Sequence, residues 1–138
     1  MTGGTAWIDT SALLALASPR DQYHARAVGL AASHRQAGGR WVSSVLVLGE
    51  FHRRTLYRAG PSVARGAVTR LLADPANRWL DVTTSVASGA VSSWLERFHD
   101  QDITLTDAVS FELMTREGLT HAFAFDKHYA VAGFQLLP

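Results

Sequence analysis

Thr5-Ala6-Trp7-Ile8-Asp9-Thr10-Ser11 is a short apolar run that breaks at an acid and continues into a helix-forming stretch. The run is too short for a helix and carries no polar alternation, which is the pattern of a strand buried on both faces. The same grammar returns in Phe123-Ala124-Phe125-Asp126, followed by Lys127-His128-Tyr129. Between these ends, turn signals fall at Ser18-Pro19, Gly38-Gly39, Gly60-Pro61 and Asp74-Pro75. The segments they separate read as strands over Thr5–Asp9, Trp41–Ser43, Arg78–Val82, His121–Phe125 and Phe134–Leu137. Helices are predicted over Ser11–Ala17, Gln22–Gln36, Ser44–Arg58, Pro61 to about Ala73, Ser85–Phe98 and Thr106–Glu117. Apolar strands alternating with helices predict an α/β fold, with helices layered on a central parallel sheet.

In a parallel sheet, ligands bind beyond the carboxyl ends of the strands. Asp9 and Asp126 both fall at that end. Asp107 opens a helix in Thr104-Leu105-Thr106-Asp107-Ala108, and Glu50 lies within the helix after the second strand. Four carboxylates meeting at one edge would raise one another's pKa. A divalent cation removes that cost, and Mg²⁺ takes oxygen ligands from carboxylates, water and phosphate. Each acid alone also fits an ordinary role. Asp9 and Asp126 suit helix caps, Asp107 suits a helix N-terminus, and Glu50 suits an i,i+4 pair with Arg54. Spacing by itself leaves both readings open.

The chain has 138 residues, 47% of them hydrophobic and 18% charged, with no cysteine. That length fits one domain, residues 1–138, with a usable core, and the composition excludes a disordered chain. The absence of cysteine excludes disulfides and thiolate metal sites. No apolar run is long enough to span a membrane, and the first residues lack the charge and apolar stretch of a signal peptide. A cytoplasmic protein without a membrane partner is expected. Net charge is only +1, yet twelve of the thirteen basic residues are arginine. Arg53, Arg54, Arg58, Arg65 and Arg70 cluster within eighteen positions. Arginine suits bidentate phosphate contacts, although solvated helix faces would carry the same residues.

Taken together, Trp7-Ile8-Asp9-Thr10-Ser11, Leu48-Gly49-Glu50, Thr104-Leu105-Thr106-Asp107-Ala108 and Phe123-Ala124-Phe125-Asp126-Lys127-His128-Tyr129 with Gly133-Phe134 resemble a PIN domain. More narrowly, the chain resembles the VapC-type toxin ribonucleases of type II toxin–antitoxin systems, over nearly its whole length. Tyr129 stands where phenylalanine is common. The resemblance implies a three-layer α/β/α sandwich and a metal-dependent endoribonuclease. Asp9, Glu50, Asp107 and Asp126 would be the catalytic, metal-holding acids, with Mg²⁺ as cofactor and Mn²⁺ as an alternative. Such an ion would lower the pKa of a bound water for in-line attack on an RNA phosphodiester, leaving a 5′-phosphate and a 3′-hydroxyl.

Thr10, Ser11, Asp102, Arg53, Arg54, Arg116 and His128 are the candidates for phosphate or supporting contacts. Helix capping for Thr10 and Ser11, and exposure for Asp102 and His128, are the plainer alternatives. The resemblance also implies an RNA substrate, a small antitoxin protein lying over the site, and a homodimer. Leu13, Leu14, Leu16, Val45 and Leu46 would line the antitoxin groove or belong to the core. Trp79 and Trp94 fit the core, and His52 and His99 have no chemical role in this reading. Two other functions compete: a housekeeping PIN nuclease in RNA processing, and a silent RNA- or protein-binding module. A haloacid-dehalogenase-type phosphatase needs a second Asp two residues after the first, where this chain has Ser11. A phospho-receiver domain needs an acidic pair and a mid-chain phosphoacceptor Asp, and neither pattern is present.

Overall fold

The computed structural model describes residues 4–138; the signal-peptide expectation bears on the first residues, most of which lie outside that range. Strand β1 (Thr5–Ile8) leads into α1 (Thr10–Ala17) and α2 (His24–Gln36). Next come β2 (Arg40–Ser44), α3 (Val45–Ala59) and α4 (Pro61–Ala73), then β3 (Asn77–Leu80) and α5 (Thr84–Ala90). The chain closes with α6 (Leu105–Arg116), β4 (His121–Phe123), α7 (His128–Val131) and β5 (Gln135–Leu136). The five strands form one sheet in the order β3-β2-β1-β4-β5, and every pairing is parallel.

This order fixes the layers. The crossovers from β1 to β2 and from β2 to β3 step one way across the sheet. Those from β3 to β4 and from β4 to β5 step the other way. Because such crossovers are right-handed, the two sets of helices cover opposite faces. The helix contacts agree: α1 packs on α2 and α3, α3 on α4, and α5 on α6. The direction reverses between β1 and β4, so a crevice opens beyond their carboxyl ends, at the switch point of the sheet.

The local sequence accounts for most element ends. Ser44 caps α3 by accepting from the Val47 N–H at 3.2 Å, and Thr104 caps α6 through the Asp107 N–H at 3.1 Å. Gly60 turns the chain at φ +90° between α3 and α4, and Pro61 occupies the first turn of α4. The core holds Trp7, Phe51, Phe111, Met114, Phe123 and Tyr129, all at most 2% exposed. Leu13 and Leu14 are buried within it, whereas Val45 is 43% exposed. Trp94 is a core residue whose indole donates to Glu112 at 3.1 Å; Trp79 is half-buried and donates to the Leu71 carbonyl. No helix of the described residues is long and apolar enough to cross a membrane.

Several boundaries shift by one or two residues, β3 ending at Leu80 rather than Val82 among them, and two differences change the local structure. The helix predicted over Ser85–Phe98 is α-helical only to Ala90 and widens to a π-helix over Val91–Leu95, where the Glu96 N–H bonds the Val91 carbonyl. A π segment inserts an extra residue per turn, and Trp94, within it, meets Glu112 and stacks near Phe98. Strand β4 stops at Phe123 rather than Phe125. The Phe125 N–H is donated not to a neighbouring strand but to the Ser11 hydroxyl at 3.0 Å.

Candidate active site at the carboxyl edge of the sheet

Asp9 follows β1, the central strand, and caps α1. One carboxylate oxygen accepts from the Ser11 N–H at 3.3 Å and the Ser11 hydroxyl at 3.0 Å; the other accepts from the Tyr129 hydroxyl at 2.9 Å. The Ser11 hydroxyl also accepts from Phe125, so it ties the end of β1 to the loop after β4. Burial pushes the Asp9 carboxyl up to about 6, the hydrogen bonds from Tyr129 and Ser11 oppose this, and the Asp107 charge adds to it. The Tyr129 hydroxyl is driven well above its ordinary range, first by burial and then by the charge of Asp9. It therefore stays protonated and serves as a fixed donor.

Asp107 lies in the first turn of α6, and Asp126 lies in the loop beyond β4. The Asp126 carboxylate accepts from the His128 N–H at 2.8 Å, a tight local turn that starts α7. The turn brings the His128 imidazole between two acids: Nδ1 is 3.3 Å from Asp107 and 3.2 Å from Asp126. One donor atom from each of Asp107, Asp126 and His128 falls within a 4.8 Å group. The Asp107 carboxyl is raised by burial and by the neighbouring Asp126 charge, and His128 partly offsets this.

The three donor atoms are close enough to share one divalent cation, and the raised Asp107 carboxyl is one that such a charge would relieve.

The other candidates divide. Glu50 is half-buried on α3 and makes no hydrogen bond or ion pair with the described residues, including Arg54. Thr10 is 2% exposed and its hydroxyl has no partner among the described residues. Ser11 has its hydroxyl committed to Asp9 and Phe125, so its place is bracing rather than phosphate contact. Asp102 is exposed and outside the acid cluster. Arg116 is turned to a neighbour on its own helix. It is bound to Glu112 at 2.7 Å, nine residues beyond Asp107 and thus about 13 Å along the helix axis. Arg54 does approach: with Arg58 it lines a cleft of about 320 Å³ that also includes Ser11 and Asp126. Arg53 is exposed beside it.

His128 corrects the expectation of an exposed side chain, since only 16% of it is accessible. The part played by the Tyr129 hydroxyl was not legible as a contact, although a tyrosine at a position that otherwise needs only a ring was the available signal.

A parallel sheet with carboxylates gathered at its carboxyl edge is an arrangement that could hold a divalent cation at the ligand-binding end of the fold. The PIN domain family matches residues 6–135. The 23S rRNA-specific endonuclease VapC20 of Mycobacterium tuberculosis is 31% identical over 132 residues, covering 93% of this chain and 94% of the relative. The crystal structure of that toxin, described as cleaving the sarcin-ricin loop, superposes with a TM-score of 0.83 over 94% of this chain and 95% of its own. VapBC2 of Rickettsia felis, solved with a promoter DNA fragment, gives a TM-score of 0.67 at 12% identity over 96% and 97% of the two chains, a likeness of fold alone. This chain belongs to the PIN-domain family and is an endoribonuclease of the VapC toxin type.

Proposed function

We propose that the chain hydrolyses RNA phosphodiesters at the edge formed by Asp9, Asp107, Asp126 and His128, in a divalent-metal-dependent reaction, with ribosomal RNA as substrate. The observation that carries this is the grouping of one donor atom each from Asp107, Asp126 and His128 within 4.8 Å, beside buried Asp9. Asp107 and Asp126 would hold the ion, His128 would supply a nitrogen ligand or orient both carboxylates, and Glu50 would complete the set from α3. When bound, Mg²⁺ or Mn²⁺ supplies the positive charge the acids lack and Lewis acidity toward the phosphoryl oxygens and the attacking water.

The chain's own residues do the rest. Asp9 is fixed by Ser11 and Tyr129, so its carboxylate needs no reorganisation when substrate arrives. Arg54, across the cleft from Asp126, would receive a backbone phosphate. The likeness to VapC20 supports 23S rRNA as the first substrate to test. The VapBC assembly among the similar folds supports an antitoxin partner; the homodimer rests on the family alone.

The test is cleavage of intact ribosomes, naked 23S rRNA and tRNA by purified protein, with Mg²⁺, Mn²⁺ or EDTA, beside Asp107→Asn. Discrete metal-dependent fragments from rRNA, absent with the variant, are expected. Equal cleavage by Asp107→Asn or in EDTA would overturn the carboxylate mechanism.

A further inference from the structure

Tyr57 is 79% exposed, more than any other large hydrophobic side chain of the described residues. It stands on α3, and the Arg53 guanidinium lies 5.8 Å from its ring centroid. Arg53, Arg54, Tyr57 and Arg58 together line one open surface depression. None of the three arginines forms a salt bridge with the described residues. Helical spacing places Arg54 and Arg58 one turn apart, about 6 Å along the axis, and Tyr57 beside them. Arg54 and Arg58 also line the neighbouring cleft that includes Ser11 and Asp126. Phe125 lines this cleft and is stacked on Tyr23 with centroids 4.5 Å apart and planes 2° from parallel.

We propose that this α3 stripe is a single-strand RNA track leading to the acidic edge, with Arg54 and Arg58 taking successive phosphates and Tyr57 stacking a base. It rests on the ribonuclease reading and extends it to how the strand is held. Unpaired arginines interleaved with an aromatic ring are what sequence-tolerant recognition of single strands requires: phosphates meet cations, and any base offers a face for stacking. The acids by themselves repel a polyanion, and a neighbouring cationic stripe raises the local concentration of the strand beside them. The charge complementarity favours RNA over an apolar protein segment as the occupant.

The test separates strand binding from catalysis. Anisotropy is measured with a fluorescent single-stranded RNA of about ten nucleotides, in EDTA, on the Asp107→Asn background. Adding Tyr57→Ala is expected to weaken binding by about tenfold. Adding Arg58→Gln is expected to weaken it and to lower the slope of log affinity against log salt by about 0.7. Arg97→Gln, the same charge change on the segment after α5, is expected to stay within about twofold because salt screens distant charges. Tyr57 is a surface residue, so its removal leaves the core intact, and circular dichroism checks the Arg58 variant. Unchanged affinity with both stripe variants would overturn the track and leave the stripe to a protein partner. Cleavage of the probe by the Asp107→Asn protein would instead sink the catalytic reading and leave the binding result standing.

Discussion

The Tyr129 hydroxyl donates to the Asp9 carboxylate at 2.9 Å, joining residues 120 positions apart in a fully buried contact. The ring packs edge-on against Phe111 at 5.0 Å. Tyr129→Phe keeps this packing and removes the donor. Since the bond lowers the Asp9 pKa, its loss should move that carboxyl further up. A hydrogen bond to a charged group contributes about 1.5–3 kcal/mol, so urea unfolding at pH 8 should show a loss of that order. The loss should be smaller at pH 5, where Asp9 is protonated and the bond is between neutral groups.

Asp9 makes the metal-free protein less stable as pH rises. Its folded pKa is about 6 against an ordinary 3.8, so between these values the folded state holds more protons than the unfolded one. Stability from this group is full below pH 3.8 and is lost as pH rises through about 6. The gap corresponds to about 3 kcal/mol. Asp9→Asn should remove this dependence and stabilise the metal-free protein at pH 7.5, because the Tyr129 hydroxyl can turn to accept from the new amide. Urea midpoints at pH 5 and 7.5 decide it; an Asn variant that is no more stable than the parent at pH 7.5 would contradict the burial argument.

Divalent ions should stabilise the folded protein, because they relieve the Asp107–Asp126 repulsion. At a hundred times the dissociation constant the gain is about 2.7 kcal/mol, read as a rise in melting temperature with Mn²⁺ or Mg²⁺. Asp107→Asn should abolish the rise. His128→Ala should reduce it more for Mn²⁺ than for Mg²⁺ if Nδ1 is a ligand, since nitrogen donors favour transition metals. An equal reduction for both ions would leave His128 only an orienting part.

Arg116→Gln should leave cleavage rates within about fivefold, because surface ion pairs such as that with Glu112 contribute at most about 1 kcal/mol. Asp126→Asn should lower kcat by at least about a hundredfold, the scale expected when an electrostatic group at a reacting centre is removed. Comparable losses for the two variants in a fragment assay would mean that Arg116 reaches the site after all.

Gly39→Ala should destabilise the protein by about 1–3 kcal/mol through overpacking. A methyl there would run into the His34 ring, which is 1% exposed and stacked on Trp41 at 4.0 Å. Thermal unfolding measures it, and the same substitution should cost less in a His34→Ala chain, where the ring it meets is gone.

The elements and the order of the acids are written in short stretches of the chain. Buried strands need unbroken apolar residues, and Trp7-Ile8 and Ala122-Phe123 supply them; helix starts need short polar caps, which Ser44, Thr83 and Thr104 provide. These are local effects, decided within a few residues. Which donors share a site depends on packing between distant parts of the chain. Asp107 and Asp126 meet because β4 lies beside β1 and α6 returns over the same edge, a pairing set by sheet order rather than by spacing. The same long-range packing turned His128 inward between two carboxylates, gave Asp9 the Tyr129 hydroxyl, and sent Arg116 to Glu112 while placing Arg58 at the cleft. Caps and strands are legible because they depend on neighbours in the chain; a shared site depends on neighbours across the fold, whose distances no local pattern records.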